Sequence, residues 1–196
     1  MIDLHEHCSL HALSSESPIK DFICDSDDLN DFFCNDAIKY QNELLGETFY
    51  YRLKETGEII CAYTLSNDSL KVSDLPGSRK RAVKKEIPHE KSMKAYPAML
   101  IGRLGVSKKH EGNGIGTQLL NYIKGYTFTE LGSKCRYLLV DSYNNEKALA
   151  LYKKNEFNTV FSSEEQEREY YEKPEGEPLK TRFMYFDLML WQNQLA

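Results

Sequence analysis

Three glycines at alternate positions, Gly112, Gly114 and Gly116, stand between an apolar run and an amphipathic stretch in "RLGVSKKHEGNGIGTQLL". The run Ala98 to Leu104 reads as a strand, while Ile115, Leu119, Leu120 and Ile123 recur at helical spacing, so the chain must turn from strand into helix here. The first N–H groups of a helix have no intrahelical partner and carry the positive end of its dipole. Glycine permits the turn that aims them inward and puts no Cβ in the way of a ligand. A turn of this kind suits an anion, phosphate above all. Two familiar phosphate loops do not fit. A nucleotide P-loop needs Gly-Lys-Ser/Thr, and Gly116 is followed by Thr117 and Gln118; the dinucleotide fingerprint needs a glycine at Thr117 and an acid roughly 20 positions on. On the pattern alone, a purely structural turn stays open.

The length of 196 residues suits one well-buried domain, 1–196. Hydrophobic content of 41% and charged content of 28% are those of a soluble globular protein. There is no run of 18 apolar residues, and "MIDLHEHCSLHAL" has no basic region followed by an apolar core. A cytoplasmic protein without membrane contact is expected. Five cysteines, an odd number without a C-x-x-C pair, read as reduced thiols. In "HEHCSLH", His5, His7, Cys8 and His11 invite a metal, but nothing downstream completes a ligand set, and no metal is expected.

Charge is segregated around a net −5. Asp21 to Asp36 holds six aspartates, Arg79 to Lys94 seven Lys/Arg against two Glu, and Glu164 to Glu177 seven Glu against two basic residues. Each block reads first as a solvated face. The basic one, "SRKRAVKKEIPHEKSMK", also suits a phosphate backbone, against which the acidic overall balance stands.

Along the chain, "DSDDLNDFFCNDAIKYQNELLG" reads as a helix stopped at Gly46, with Leu29, Phe32, Phe33, Ala37 and Tyr40 on one face. "ETFYYRLKETGEIICAYTLS" reads as a hairpin turning at Gly57, and "PGSRKRAVKKEIP" as a short basic helix. Tyr96 to Val106 is a strand, Gly114 to Leu131 a helix, "CRYLLVDSY" a buried strand and "NNEKALALYKKN" a short helix. "FNTVFS" and "TRFMYFDLML" are the last strands, separated by an acidic loop. The fold class is a mixed α/β domain.

Two motifs carry a resemblance. "EGNGIG" is similar to the pyrophosphate loop [Q/R]-x-x-G-x-[G/A] of the GCN5-related N-acetyltransferases (GNAT), with Glu111 in place of Gln or Arg. "NNEKALALYKKNEF" resembles their N-x-x-A-x-x-x-Y-x-x-x-G-F, with Asn145, Ala148, Tyr152 and Phe157 in place and Glu156 where the glycine stands. Asn155 is expected to take over the left-handed turn. "FICDSDDLNDFF", "CAYTLS", "IGRLGV" and "ALALY" look like the acetyltransferase toxins of bacterial toxin–antitoxin pairs.

The resemblance implies a GNAT fold, a mixed central β-sheet flanked by helices, and acetyl-CoA as co-substrate. Leu104, Gly105 and Val106 would face the pantetheine, and Gly112, Asn113, Gly114, Ile115, Gly116 and Thr117 would take the pyrophosphate. Glu111 is awkward beside a diphosphate unless it points away or pairs with Lys108 or Lys109. Asn145, or Asn144 in its stead, would bond the pantetheine arm; a helix N-cap is the alternative. Tyr152 would protonate the departing thiolate, or be a core tyrosine. Arg103 would contact substrate, or form a structural ion pair. The toxin branch implies an aminoacyl-tRNA acceptor, an antitoxin partner and a homodimer. No acid lies on the strand Tyr96 to Leu104, which mildly favours an α-amine near pKa 7.7–8.0 over a lysine near 10.4. Transfer to a small-molecule, polyamine or peptide amine remains open, as does a non-catalytic CoA- or partner-binding module.

Overall fold

The computed structural model describes residues 2–77, 79–81, 94–130 and 134–195. They divide into two compact units, residues 1–67 with 101–123 and residues 68–100 with 124–196.

The first unit opens with a one-turn helix α1 (Leu4–His7), capped by the Asp3 carboxylate, which accepts from the His5 and Glu6 N–H groups. Strand β1 (Cys8–Ala12) follows and pairs antiparallel with β2 (Glu47–Leu53), Cys8 opposite Leu53. β2 pairs antiparallel with β3 (Ile59–Lys71) across the expected Gly57 turn, where φ is +73°. Thr48 and Thr64 face each other in this register and share a buried hydroxyl hydrogen bond of 2.8 Å. The start of the chain was legible only as a set of imidazoles. The structure spends these locally: His7 Nδ1 accepts from the Asp3 N–H, and His11 bonds Ser9 and stacks on Tyr50. Among the described residues no group of three or more His, Cys, Asp or Glu could hold a metal.

The expected first helix is interrupted. α2 (Asp27–Asp31) is capped by Ser26, passes into a π-helical turn at Phe32–Asp36 and resumes as α3 (Ala37–Asn42). It ends before Gly46, and Leu44 takes the left-handed residue of the exit, φ +58°. Gly46 serves a different need, because a Cβ there would sit 2.7 Å from the Leu65 carbonyl oxygen.

In the second unit, Ala98–Leu100 of β4 (Ala95–Val106) pair in parallel with Tyr137–Leu139 of β5 (Tyr137–Tyr143). β5 runs antiparallel to β7 (Thr181–Asp187) along its whole length, from Tyr137 opposite Asp187 to Tyr143 opposite Thr181. β7 also pairs with the two-residue β6 (Asn158–Thr159). The strands form one seven-stranded mixed sheet in the order β1-β2-β3-β4-β5-β7-β6. Tyr96, Tyr137, Leu139, Val160, Phe161 and Tyr185 belong to the apolar core of this unit.

Three readings of the second unit need correction. The acidic loop contains a helix, α6 (Glu164–Tyr170), because Ser163 caps it by accepting from the Gln166 N–H. Its Glu167 is not solvated: it is 1% exposed, accepts from the Phe183 N–H at 2.6 Å and pairs with Arg182 at 2.5 Å. "TRFMYFDLML" is a strand only to Asp187, whose carboxylate accepts from the Met189 N–H and starts α7 (Leu188–Leu195). Most of the basic block lies outside the described residues; within it, residues 79–81 are helical. No helix among the described residues is long and apolar enough to cross a membrane.

Candidate active site

In the first unit, the end of β4 leads through a 3-10 turn at Lys108–His110 and the glycine loop into α4 (Ile115–Thr129). Gly112 and Gly114 have φ of +74° and +78°, with nothing within 4 Å of where a Cβ would stand. This is the backbone conformation that L side chains rarely adopt, in open space. Gly116 does a different job and lies inside the first helical turn. The Gln118 N–H donates to the Gly114 carbonyl at 3.1 Å, so the N–H groups ahead of it, at Ile115 and Gly116, precede the helical ladder. No acid occupies the first turn of α4, and Ile115, Leu119, Leu120 and Ile123 are buried at 1% exposure or less. Asn113 is exposed and Thr117 half-buried. The loop suits a diphosphate by its two left-handed glycines and a helix N-terminus whose first turn carries no acid, with Glu111 at its entry as the opposing feature.

The approach to that loop is pinned by charge. Glu58, on the β2–β3 turn, meets Lys109 at 3.0 Å and His110 at 3.6 Å, and its carboxyl is held below the ordinary range, Lys109 foremost. Lys108 lies 3.6 Å from Asp25 and its N–H donates to the Ile23 carbonyl. These lysines thus have Asp25 and Glu58 as partners, while half-buried Glu111 lies near enough to Cys24 to help raise that thiol's pKa, for which burial is the main cause.

Along β4, Leu104 and Val106 are half-buried and Gly105 is buried. A Cβ on Gly105 would meet the Phe22 ring at 3.1 Å and the Phe33 ring at 3.3 Å, so the glycine admits two aromatic rings against the strand. Arg103 is exposed, its guanidinium 4.8 Å over the Phe32 ring and its Nη1 donating to the Gly102 carbonyl at 2.8 Å. No carboxylate lies within ion-pair distance of it among the described residues. Among the described residues, it is an aromatic ring from the π-helical turn and not a carboxylate that holds Arg103.

Asn145 and Tyr152 belong to the second unit, on α5 (Glu146–Lys154). Asn145 is the N-cap, its Oδ1 accepting from the Ala148 N–H at 2.9 Å, which leaves its amide nitrogen as the group to offer a ligand. Asn144 is spent on structure, its N–H and amide donating to the Lys180 and Leu179 carbonyls. Tyr152 is 6% exposed, and burial raises its phenol well above the ordinary value, so it stays protonated and able to donate.

The exit from α5 corrects the expectation for Asn155. Its φ is −95°, whereas Glu156 takes the left-handed residue at +66°. The Phe157 N–H donates to the Tyr152 carbonyl and the Glu156 N–H to that of Lys153, each at 3.0 Å, which is a Schellman turn. Its geometry places the left-handed residue after the cap, at Glu156, whatever side chain stands there. The accompanying apolar contact is Tyr152 against Phe157, ring centroids 5.3 Å apart. A glycine removes the Cβ penalty, so Glu156→Gly is expected to stabilise the protein by about 1 kcal/mol. Thermal unfolding reads this as a rise of roughly 2–4 °C; a fall would mean that the Glu156 carboxylate outweighs the strain.

Two residues escaped the sequence reading. Lys124 lies one helical turn after Leu120 on the apolar face of α4, a legible signal in retrospect, and is 2% exposed. Gln118 holds the start of the chain: its Oε1 accepts from the Leu4 N–H and its Nε2 donates to the Ile2 carbonyl, both at 2.9 Å. Nothing local announced that pairing.

Comparison with known proteins adds the following. Residues 3–157 match the family described as the acetyltransferase (GNAT) family. No curated protein sequence matches the chain. Among solved structures, AtaT complexed with acetyl-methionyl-tRNAfMet superposes with a TM-score of 0.73 at 18% identity, over 96% of this chain and 99% of that one. A Tyr-to-Phe mutant of KacT gives 0.70 at 18% identity, over 97% and 100%. AtaTR bound with acetyl-CoA gives 0.69 at 18% identity, over 97% and 99%. The likeness extends over nearly the whole length of these chains and is one of fold. With the family model covering most of its residues, the chain belongs to the GNAT family of acetyltransferases.

Proposed function

We propose that the protein transfers the acetyl group of acetyl-CoA to the α-amine of an aminoacyl-tRNA, with residues 1–196 acting as one domain. The observation that carries the acceptor is Arg103: exposed, stacked on Phe32 and without a carboxylate partner among the described residues, it presents a cation suited to a phosphate backbone. The family and the fold shared with AtaT, which has been seen with acetyl-methionyl-tRNAfMet, support the same reading. So does β4, "AYPAMLIGRLGV", which offers no carboxylate base and suits an amine already partly neutral near pH 8.

When bound, acetyl-CoA supplies an activated thioester carbonyl. Gly112 to Thr117 would hold its diphosphate with backbone N–H groups, Leu104, Gly105 and Val106 would hold the pantetheine, and the amide nitrogen of Asn145 would be a further donor. The acceptor amine attacks the acetyl carbon and loses a proton to water as the C–S bond breaks. Tyr152 would donate a phenolic hydrogen bond to the sulfur, which departs as the thiolate and takes its proton from water. An antitoxin of the kind bound to the fold's relatives is a candidate partner.

Labelled acetyl-CoA with bulk charged tRNA tests the acceptor. Label on the aminoacyl end, lost with uncharged tRNA, is expected. Absence of label in protein that binds acetyl-CoA would move the acceptor to a small or peptide amine, the reading that the net charge of −5 favours. Any turnover removes the non-catalytic reading, which rested on Glu111 and Glu156; the second departure is already absorbed by the Schellman turn.

Glu111 still bears on cofactor affinity. Removing a carboxylate near a diphosphate is worth about 1 kcal/mol at surface dielectric, so Glu111→Gln is expected to tighten acetyl-CoA binding about fivefold, and more at low salt. Calorimetry that finds unchanged or weaker binding would mean that Glu111 points away from the cofactor.

A further inference from the structure

Lys124 plays no part in the chemistry above, yet it is 2% exposed in the middle of α4. Its Nζ donates to the Asn155 carbonyl at 2.8 Å and lies 4.0 Å from the Phe186 ring centroid, 5.5 Å from Trp191 and 5.8 Å from Phe157. Asn155 is the cap of α5, its N–H donating to the Leu151 and Tyr152 carbonyls and its side-chain amide again to Leu151. Phe157 packs on Tyr152 on one side and on Phe186 on the other. The ammonium therefore fastens both the backbone and the ring that hold Tyr152. A cation buried among three aromatic rings is kept only against its desolvation cost, and rings with one carbonyl offset that cost in part.

We propose that Lys124 is a positioning residue for Tyr152: its charged ammonium clamps the Asn155 carbonyl and the Phe157 ring, and loss of that charge loosens the turn that aims the Tyr152 phenol. The proposal rests on the reading of Tyr152 as the donor to the leaving sulfur. Burial lowers the Lys124 pKa to about 8, against a smaller opposing pull from Glu156, so the charge changes within the working range of an enzyme. Of the other elements packed on it, β7 presents Phe186, whose neighbour Asp187 is taken by Arg136 at 2.7 Å. α7 presents the Trp191 indole, whose Nε1 has no hydrogen-bond partner among the described residues. α4 itself carries no carboxylate from Ile115 to Thr129. Glu156 is thus the one carboxylate among the described residues that acts on Lys124.

The experiment compares wild type, Lys124→Met and Tyr152→Phe by acetyl transfer to bulk charged tRNA from pH 6.5 to 9.5, with 13C-tyrosine NMR of the same proteins. The rate ratio of wild type to Lys124→Met cancels the titration of the acceptor amine. It is expected to be about tenfold at pH 7 and to fall toward unity above pH 8, with the KM for acetyl-CoA within twofold. The Tyr152 resonance, assigned by its loss in Tyr152→Phe, is expected to move with a midpoint near 8 in wild type and stay flat in Lys124→Met. A pH-independent ratio, or a Lys124→Met variant as fast as wild type while Tyr152→Phe is slow, overturns the role of Lys124 alone. A fast Tyr152→Phe overturns the reading of Tyr152 instead. Should Lys124→Met not fold, a Tyr152 resonance that ignores pH in wild type still sinks the proposal.

Discussion

Replacing Tyr152 by phenylalanine is expected to lower kcat for acetyl transfer by about a hundredfold to a thousandfold, with the KM for acetyl-CoA within about threefold. The substitution removes one oxygen and leaves the ring that packs on Phe157, so the fold should keep its stability. Only the interaction with the leaving sulfur changes, and that interaction exists in the transition state rather than in the bound ground state. The phenol, pushed up by burial, stays protonated throughout the assay range, so Tyr152 contributes no limb to the pH profile. A thiol near pKa 8.5 is a stronger acid than this phenol, so the phenol keeps its proton and assists by hydrogen bonding as charge develops on the sulfur. Rates measured by label transfer that drop less than about threefold would assign stabilisation of the departing sulfur to water.

A second expected result concerns stability. The Lys124 pKa falls from 10.5 to about 8, a difference of about 2.5 units, which corresponds to roughly 3 kcal/mol of cost for holding the charge in the folded state. The sign follows from the direction: the folded protein binds this proton less tightly than the unfolded chain. The cost is complete below pH 8 and is relieved as pH rises from about 8 to 10.5. Lys124→Met keeps the length of the chain and removes the charge, but leaves the Asn155 carbonyl without this donor, at about 1–3 kcal/mol. The net expectation at pH 7 is a variant more stable by about 1 kcal/mol. By pH 9.5 the wild type should have gained about 2 kcal/mol relative to it, reversing the order. Thermal unfolding at the two pH values checks this, and parallel shifts in both proteins would show that Lys124 is no buried cation. A variant that is slower yet more stable is what a residue retained for geometry, at the expense of stability, would give.

The glycine loop, the hairpin and the paired motifs were legible because each depends on residues near one another in sequence. Gly57, Gly112 and Gly114 all take the backbone that only glycine takes easily, and Ile115 to Ile123 bury the face that their spacing marks. What was misread depends on partners elsewhere. β1 exists because β2 offers it an edge, and its histidines alone said nothing of that. α6 hides in an acidic stretch until Ser163 is seen as its cap, and Glu167 is buried because Arg182 and the Phe183 N–H receive it. Asn155 was assigned the left-handed turn on residue preference. The hydrogen-bond order of the turn gives it to Glu156, since backbone geometry outranks side-chain preference of about 1 kcal/mol. Lys124 went unnoticed because a lysine beside apolar neighbours is usually taken to reach for solvent.

The clasp of Gln118 on the Ile2 carbonyl and the Leu4 N–H has a practical side. Gln118 is two residues past Gly116, so residues 2–4 and the first turn of α4 are tied by one amide. Gln118→Ala would undo both halves of that knot at once. The Leu4 N–H, deprived of its acceptor, would then exchange faster with solvent, a local loosening that hydrogen exchange can read without any ligand.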